Sequence, residues 1–273
     1  MTAVYAPAPA PGHVRAVTDT QVMLARSLRR SLRDPEALMT ALALPAILIL
    51  VFVYVFGGAF NAGVGGGGYA NYVVPGLIVL CSAYSSGTTA VAVATDMSTG
   101  IVDRFRSMPI AAWTVLAGQV TATLVRNLLA TAVVIGAGLA VGWRPTGGPL
   151  DWVAAVGLIV VFTAALSWLA ACFGLVAGSP EAATGATFLF MFVPYLSSAL
   201  VPAATMTRVL RPVAANQPCT PLIEALRGLW MGHTTTGASV GHEALLAVGY
   251  FGAILVLAAC LASWLFRHRT AGR

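Results

Sequence analysis

Residues 96–113 read DMSTGIVDRFRSMPIAAW, a charged segment set between two long apolar runs, and the fold turns on how it is read. Gly100 and Pro109 punctuate it. Between them Ile101, Phe105 and Met108 recur at i, i+4 and i+7, while Asp103, Arg104 and Arg106 fall off that stripe. The spacing predicts an amphipathic helix of two turns. A helix that short is marginal alone in water, so its apolar stripe must rest on a membrane interface or in a partner's groove. The alternative is a solvated loop whose arginines only set topology.

Working outward, the flanking runs belong to a chain that is 58% hydrophobic and 9% charged, with a mean hydropathy of +0.85. Soluble domains carry about 25% charged residues, so the solvent of most of this chain is lipid. A hydrocarbon layer roughly 30 Å thick requires about 20 apolar residues per helical crossing. Six stretches qualify, at 37–57, 72–95, 115–142, 152–177, 184–202 and 244–266. The expected fold is therefore an all-α integral membrane protein of six spans forming one domain over 14–273. The connection between the last two spans contains NQPCTPLIEALRGLWMG, half apolar, with Glu224 and Arg227 among its few charges; it reads as one or two short re-entrant helices.

Ahead of the first span, residues 1–13 read as a flexible tail with no cleavable leader. Over 14–33, Leu24, Leu28 and Leu32 repeat every fourth residue, with Arg29, Arg33 and two further arginines on other faces. This is a basic helix suited to a membrane surface, the alternative being a solvated helix end. Asp34-Pro35-Glu36 then opens the next helix. With a cytoplasmic N-terminus, ten arginines fall on the inner side (Arg15, Arg26, Arg29, Arg30, Arg33, Arg104, Arg106, Arg267, Arg269, Arg273) and four outside (Arg144, Arg208, Arg211, Arg227). Both termini and the 96–113 segment are thus expected in the cytoplasm of a multi-pass cytoplasmic-membrane protein.

The same residues exclude several chemistries. All four histidines lie in tails, loops or helix ends, which leaves no haem ligation at membrane depth. The nine acids lie outside the apolar runs or at their ends, against a proton relay. Four cysteines without a CxxC pair indicate neither a metal site nor a disulfide framework. No GxxxxGK[ST] occurs, so any ATP must be bound by another chain. An all-arginine basic complement says nothing specific about nucleic acid, and no such partner is expected. Inside a span the clear polar insertion is Arg126-Asn127. Arg126 lies about eleven residues, or roughly 16 Å, into the third run, near the midplane. It is a candidate translocation or interior residue, or else a structural arginine that snorkels or binds a carbonyl.

Four blocks in order resemble the type-2 ABC export permeases, most closely the daunorubicin-resistance type. They are LRDPEALMTALALPAILILVFVYVFGGAF, NYVVPGLIVL, DMSTGIVDRFRSMPIAAWTVLAGQV and NQPCTPLIEALRGLWMG. The resemblance implies an N-terminal interface helix (Leu24, Leu28, Arg29, Leu32, Arg33) and a cytoplasmic coupling helix between spans two and three. It also implies re-entrant helices before the last span. Coupling to an ATPase would fall to Ile101, Asp103, Arg104, Phe105, Arg106 and Met108, with Glu181 on the short loop after the fourth span. Gln119 departs from the pattern, standing where relatives commonly carry a cation. The implied function is the permease subunit of an ABC exporter for an amphipathic drug, natural product or lipid. It would be no enzyme itself and would bind no cofactor. Its partners would be a nucleotide-binding subunit holding ATP and Mg, and a second permease copy or paralogue. A secondary transporter and a membrane anchor subunit are the competing functions.

Overall fold

The computed structural model describes residue 43 and residues 45–60, 68–99 and 112–271. The interface helix with Leu24, Leu28, Arg29, Leu32 and Arg33 lies outside them. So does the coupling segment with Ile101, Asp103, Arg104, Phe105, Arg106 and Met108. The described residues build helices and no strand.

The chain enters through α1 (Pro45–Val55), whose last turn widens to a π-helix over Val51–Val55, and a single turn, α2 (Gly57–Phe60). Then come α3 (Tyr69–Ser98), α4 (Ala112–Ala140), α5 (Pro149–Val176), α6 (Pro180–Phe192), α7 (Leu210–Asn216), α8 (Cys219–Met231) and α9 (Val240–Ala271). Four of these, α3, α4 over Leu116–Ala140, α5 and α9 over Val240–Phe266, are long and apolar enough to cross a membrane. They coincide with the second, third, fourth and sixth apolar runs.

The other two runs look different. The described part of the first is α1, eleven residues from Pro45 to Val55. The fifth, expected as one span over 184–202, holds the 13-residue α6 followed by a 3-10 turn over Val193–Leu196. Pro194 has no N–H to continue the α ladder, and the Ser197 hydroxyl bonds back to the Pro194 carbonyl. Beyond it Ser197, Ser198 and Ala199 turn inward and are buried. Apolar length alone does not register that break. The connection before the last span contains two short helices, α7 and α8, in keeping with its half-apolar composition.

Burial ranks the helices. α3 is buried over 72% of its apolar stretch and α9 over 17%, which makes α3 the centre and α9 the rim. α4, α5 and α6 pack around α3, and α9 lies along α5. Small residues set the spacing: a Cβ on Gly174 of α5 would overlap the Ala90 carbonyl of α3, and one on Gly76 would overlap the Ala199 carbonyl. In lipid, where water drives no helix association, such close contact supplies the packing.

The two ends are built differently. At one, Trp143, Trp152 and Trp230 form a cluster with ring centroids 5.3–6.2 Å apart. There the Thr146 and Gly147 amides donate to the Trp230 carbonyl at 2.7 and 3.2 Å, joining the α4–α5 turn to α8. Gly232 caps α8 at φ 77°, a conformation open to glycine. At the opposite end Val93, Leu116, Leu175 and Phe266 close a second core.

Candidate functional site

A polar seam runs through the middle of the bundle where α3, α4, α5 and α6 meet. Ser82, Ser86 and Thr89 on α3 recur at i, i+4 and i+7 and face inward, all buried. The Asn127 amide, 1% exposed, donates to the Ser82 hydroxyl at 3.1 Å and the Thr163 hydroxyl at 2.7 Å, tying α4 to α3 and α5. Thr89 and Thr123 share a hydroxyl pair at 2.9 Å. The Thr187 hydroxyl of α6 donates to the Gly87 carbonyl at 3.0 Å. Each bond satisfies a group that lipid could not.

Arg126 sits differently from its neighbour. One residue turns the helix by about 100°, so Asn127 points into the core while Arg126 lies at the edge of the seam, partly exposed. Its Nη2 donates to the Thr88 hydroxyl at 3.4 Å and the Thr123 hydroxyl at 3.3 Å, both long contacts. Among the described residues no carboxylate pairs with it.

Glu224 and Arg227 form a buried node. The pair lies at 2.6 Å, with side chains 0% and 3% exposed. Arg227 also donates from Nε to the Tyr72 carbonyl at 3.0 Å and from Nη2 to the Ser198 carbonyl at 2.7 Å, and its guanidinium stacks 3.6 Å over the Tyr72 ring. Glu224 accepts from the Thr235 amide at 2.6 Å and hydroxyl at 2.7 Å. This one pair therefore joins α8 to the start of α3, to the chain after α6 and to the loop before α9. Arg227, counted from sequence as an outer topology charge, is a buried structural cation.

At the other end of α3, the Gln119 amide donates to the Asp96 carboxylate at 2.6 Å. This bond links α3 and α4 beside the segment that joins them. Glu181 stands exposed in the first turn of α6 after the N-cap Ser179. The Ser179 hydroxyl and its own amide hold its carboxyl below the usual range. The structure thus brings Arg126 and Asn127 to one seam and Glu224 and Arg227 to one node, with Glu181 apart from both. Thr88, Thr123, Thr163, Tyr72, Ser198 and Thr235 were not foreseen. Only the Ser82-Ser86-Thr89 spacing carried a signal in the sequence.

Residues 18–231 match the family described as ABC-2 type transporter. The chain is 29% identical over 263 residues to the daunorubicin resistance ABC transporter permease protein DrrB1 of Streptomyces coeruleorubidus, covering 96% of this chain and 90% of that one. It is 26% identical over 242 residues to the probable doxorubicin resistance ABC transporter permease protein DrrC of Mycobacterium tuberculosis, covering 86% and 87%. To the doxorubicin resistance ABC transporter permease protein DrrB of the same organism it is 29% identical over 234 residues, covering 80% and 77%. With four membrane-length helices around a polar seam and a match over most of its length, the chain belongs to the ABC-2 type transporter family, as a permease-type membrane subunit.

Proposed function

We propose that this subunit exports an amphipathic drug, natural product or lipid across the cytoplasmic membrane, driven by a separate ATPase subunit that carries ATP and Mg. The observation that carries the reading is family membership along most of the chain, with permeases named for daunorubicin and doxorubicin resistance among its relatives. The absence of a P-loop motif from the sequence agrees with hydrolysis on a partner.

In this reading the chain crosses six times. α6 and its 3-10 turn together rise about 28 Å, close to one hydrocarbon thickness, and α1 forms part of the first crossing. Residues 14–33 lie on the inner surface, α7 and α8 re-enter from outside, and both termini are cytoplasmic. Two permease copies, or this chain and a paralogue, form the path. Closure of the ATPase dimer pushes on residues 101–108, with Glu181 at the same end of the bundle. The Asp96–Gln119 bond makes α3 and α4 respond together, and the packing between protomers then switches between two arrangements.

Co-expression with an ABC ATPase tests this. The permease is expected to retain the ATPase through membrane extraction, and amphipathic compounds are expected to stimulate its hydrolysis. An ATPase that neither binds nor responds would overturn the reading.

A further inference from the structure

Arg126 is a cation with no carboxylate partner among the described residues, its hydrogen bonds going to two hydroxyls. Arg126 lies in the middle of α4 beside Thr88, the twentieth residue of the thirty-residue α3. The acids nearest along the bundle are far in depth. Asp96 is eight residues further along α3, about 12 Å, and Glu224 sits beside Tyr72, sixteen residues back, about 24 Å. Asp151 and Glu243 open α5 and α9, and Glu181 opens α6. The remaining four, Asp19, Asp34, Glu36 and Asp103, lie outside the apolar runs.

A second copy of the chain does not remedy this. A two-fold axis along the membrane normal keeps every residue at its own depth, so an identical partner brings no carboxylate to the level of Arg126. The guanidinium meanwhile has donors to spare. Both of its hydrogen bonds leave from Nη2, so Nε and Nη1 have no hydrogen-bond partner among the described residues. Beside it on α3 runs a partly exposed stripe with Ser85, Thr88 and Thr95. The stripe lies between the face that α4 covers through Ser82 and Thr89 and the face that α6 covers through Gly87 and Ala90. A partly exposed arginine and a row of hydroxyls at this depth are poor lipid neighbours and a good match to a head group with acidic oxygens.

We infer that Arg126, with Thr88 and Ser85, forms a subsite for the phosphate or carboxylate head group of an anionic amphiphilic substrate. The substrate class rests on the exporter reading above; the head-group preference itself is measurable without transport. A guanidinium pairs bidentately with either anion and repels an ammonium, so the subsite discriminates by charge among substrates with the same apolar body.

The test uses the complex of permease and ATPase in phosphatidylcholine vesicles and two fluorescent single-chain amphiphiles with one tail, an alkyl phosphate and an alkyl trimethylammonium. Binding is read by fluorescence polarisation without nucleotide, and translocation with ATP. The alkyl phosphate is expected to bind at least about tenfold more tightly, the equivalent of one charge-assisted hydrogen bond. Arg126→Lys should keep most of that preference, the neutral, polar Arg126→Gln should abolish it, and Arg126→Glu should reverse it. Equal binding by the wild type, or a preference that survives Arg126→Gln, overturns the subsite. A preference lost when phosphatidylglycerol is added assigns the arginine to resident lipid and overturns the substrate assignment. Charge-selective binding without ATP-driven movement of either probe contradicts the exporter reading and leaves the subsite standing.

Discussion

At the scale of single residues, polar groups in this chain divide into those that hold the bundle and those that face outward from it. Asn127 belongs to the first kind, since its amide satisfies hydroxyls on two other helices. Asn127→Leu should lower stability by about 0.5–2 kcal/mol, the range for interhelical hydrogen bonds in membranes, seen as a lower midpoint of thermal unfolding in detergent. Glu224 and Arg227 should matter more. Removing one member leaves a buried charge without its partner, at a cost of about 3–5 kcal/mol, whereas replacing both with apolar residues spares that penalty. Arg227→Met is therefore expected to reduce folded yield sharply, and Glu224→Leu with Arg227→Met to lose less than the two single losses added. An Arg227→Met protein as stable as the wild type would remove the node from the structural account.

At the scale of elements, α3 is the rod against which the others are set, and glycine decides how closely they approach. Gly174→Val places a branched side chain against the Ala90 carbonyl and should cost about 1–3 kcal/mol, as overpacking does, while Gly249→Ala, in open space on α9, should be neutral or gain up to about 1 kcal/mol in helix propensity. Unfolding midpoints of the two variants separate packing from propensity. The 101–108 segment makes a different element-scale prediction. Burial of an apolar side chain contributes roughly 1.5–3 kcal/mol and an exposed ion pair about 0–1. Phe105→Ala should release the ATPase or uncouple it from export, and Arg106→Ala should act weakly and in a salt-dependent way. A silent Phe105→Ala would reduce the segment to a topology loop. The elements were legible in sequence where length and apolarity alone decide, as for α3, α4, α5 and α9. The end of α6 was not, because Pro194 sits inside a run that scores as continuous and the break depends on Ser198 and Ala199 finding partners elsewhere, on Tyr72, Glu224 and Arg227. The surroundings of Arg227 were illegible for the same reason, since its partner carbonyl on Tyr72 is 155 residues away.

At the scale of the whole molecule, one end of the bundle is fastened by the tryptophan cluster and the Glu224–Arg227 node, and the other by the small core around Leu116 and the Asp96–Gln119 bond. In the orientation proposed from the arginine asymmetry, the second end faces the cytoplasm. A cysteine at Ser107, in a chain whose four native cysteines are replaced by alanine, should resist an impermeant thiol reagent added outside intact cells and react once the membrane is opened. Labelling from outside would invert the orientation. In the proposed function, ATP hydrolysis on a partner, and no ion gradient, drives transport through this subunit. Inverted vesicles holding the permease and its ATPase should accumulate a labelled amphiphile only with hydrolysable ATP, and at an undiminished rate after ionophores collapse the proton and sodium gradients. Accumulation that proceeds without the ATPase and stops on adding the ionophores would contradict the account.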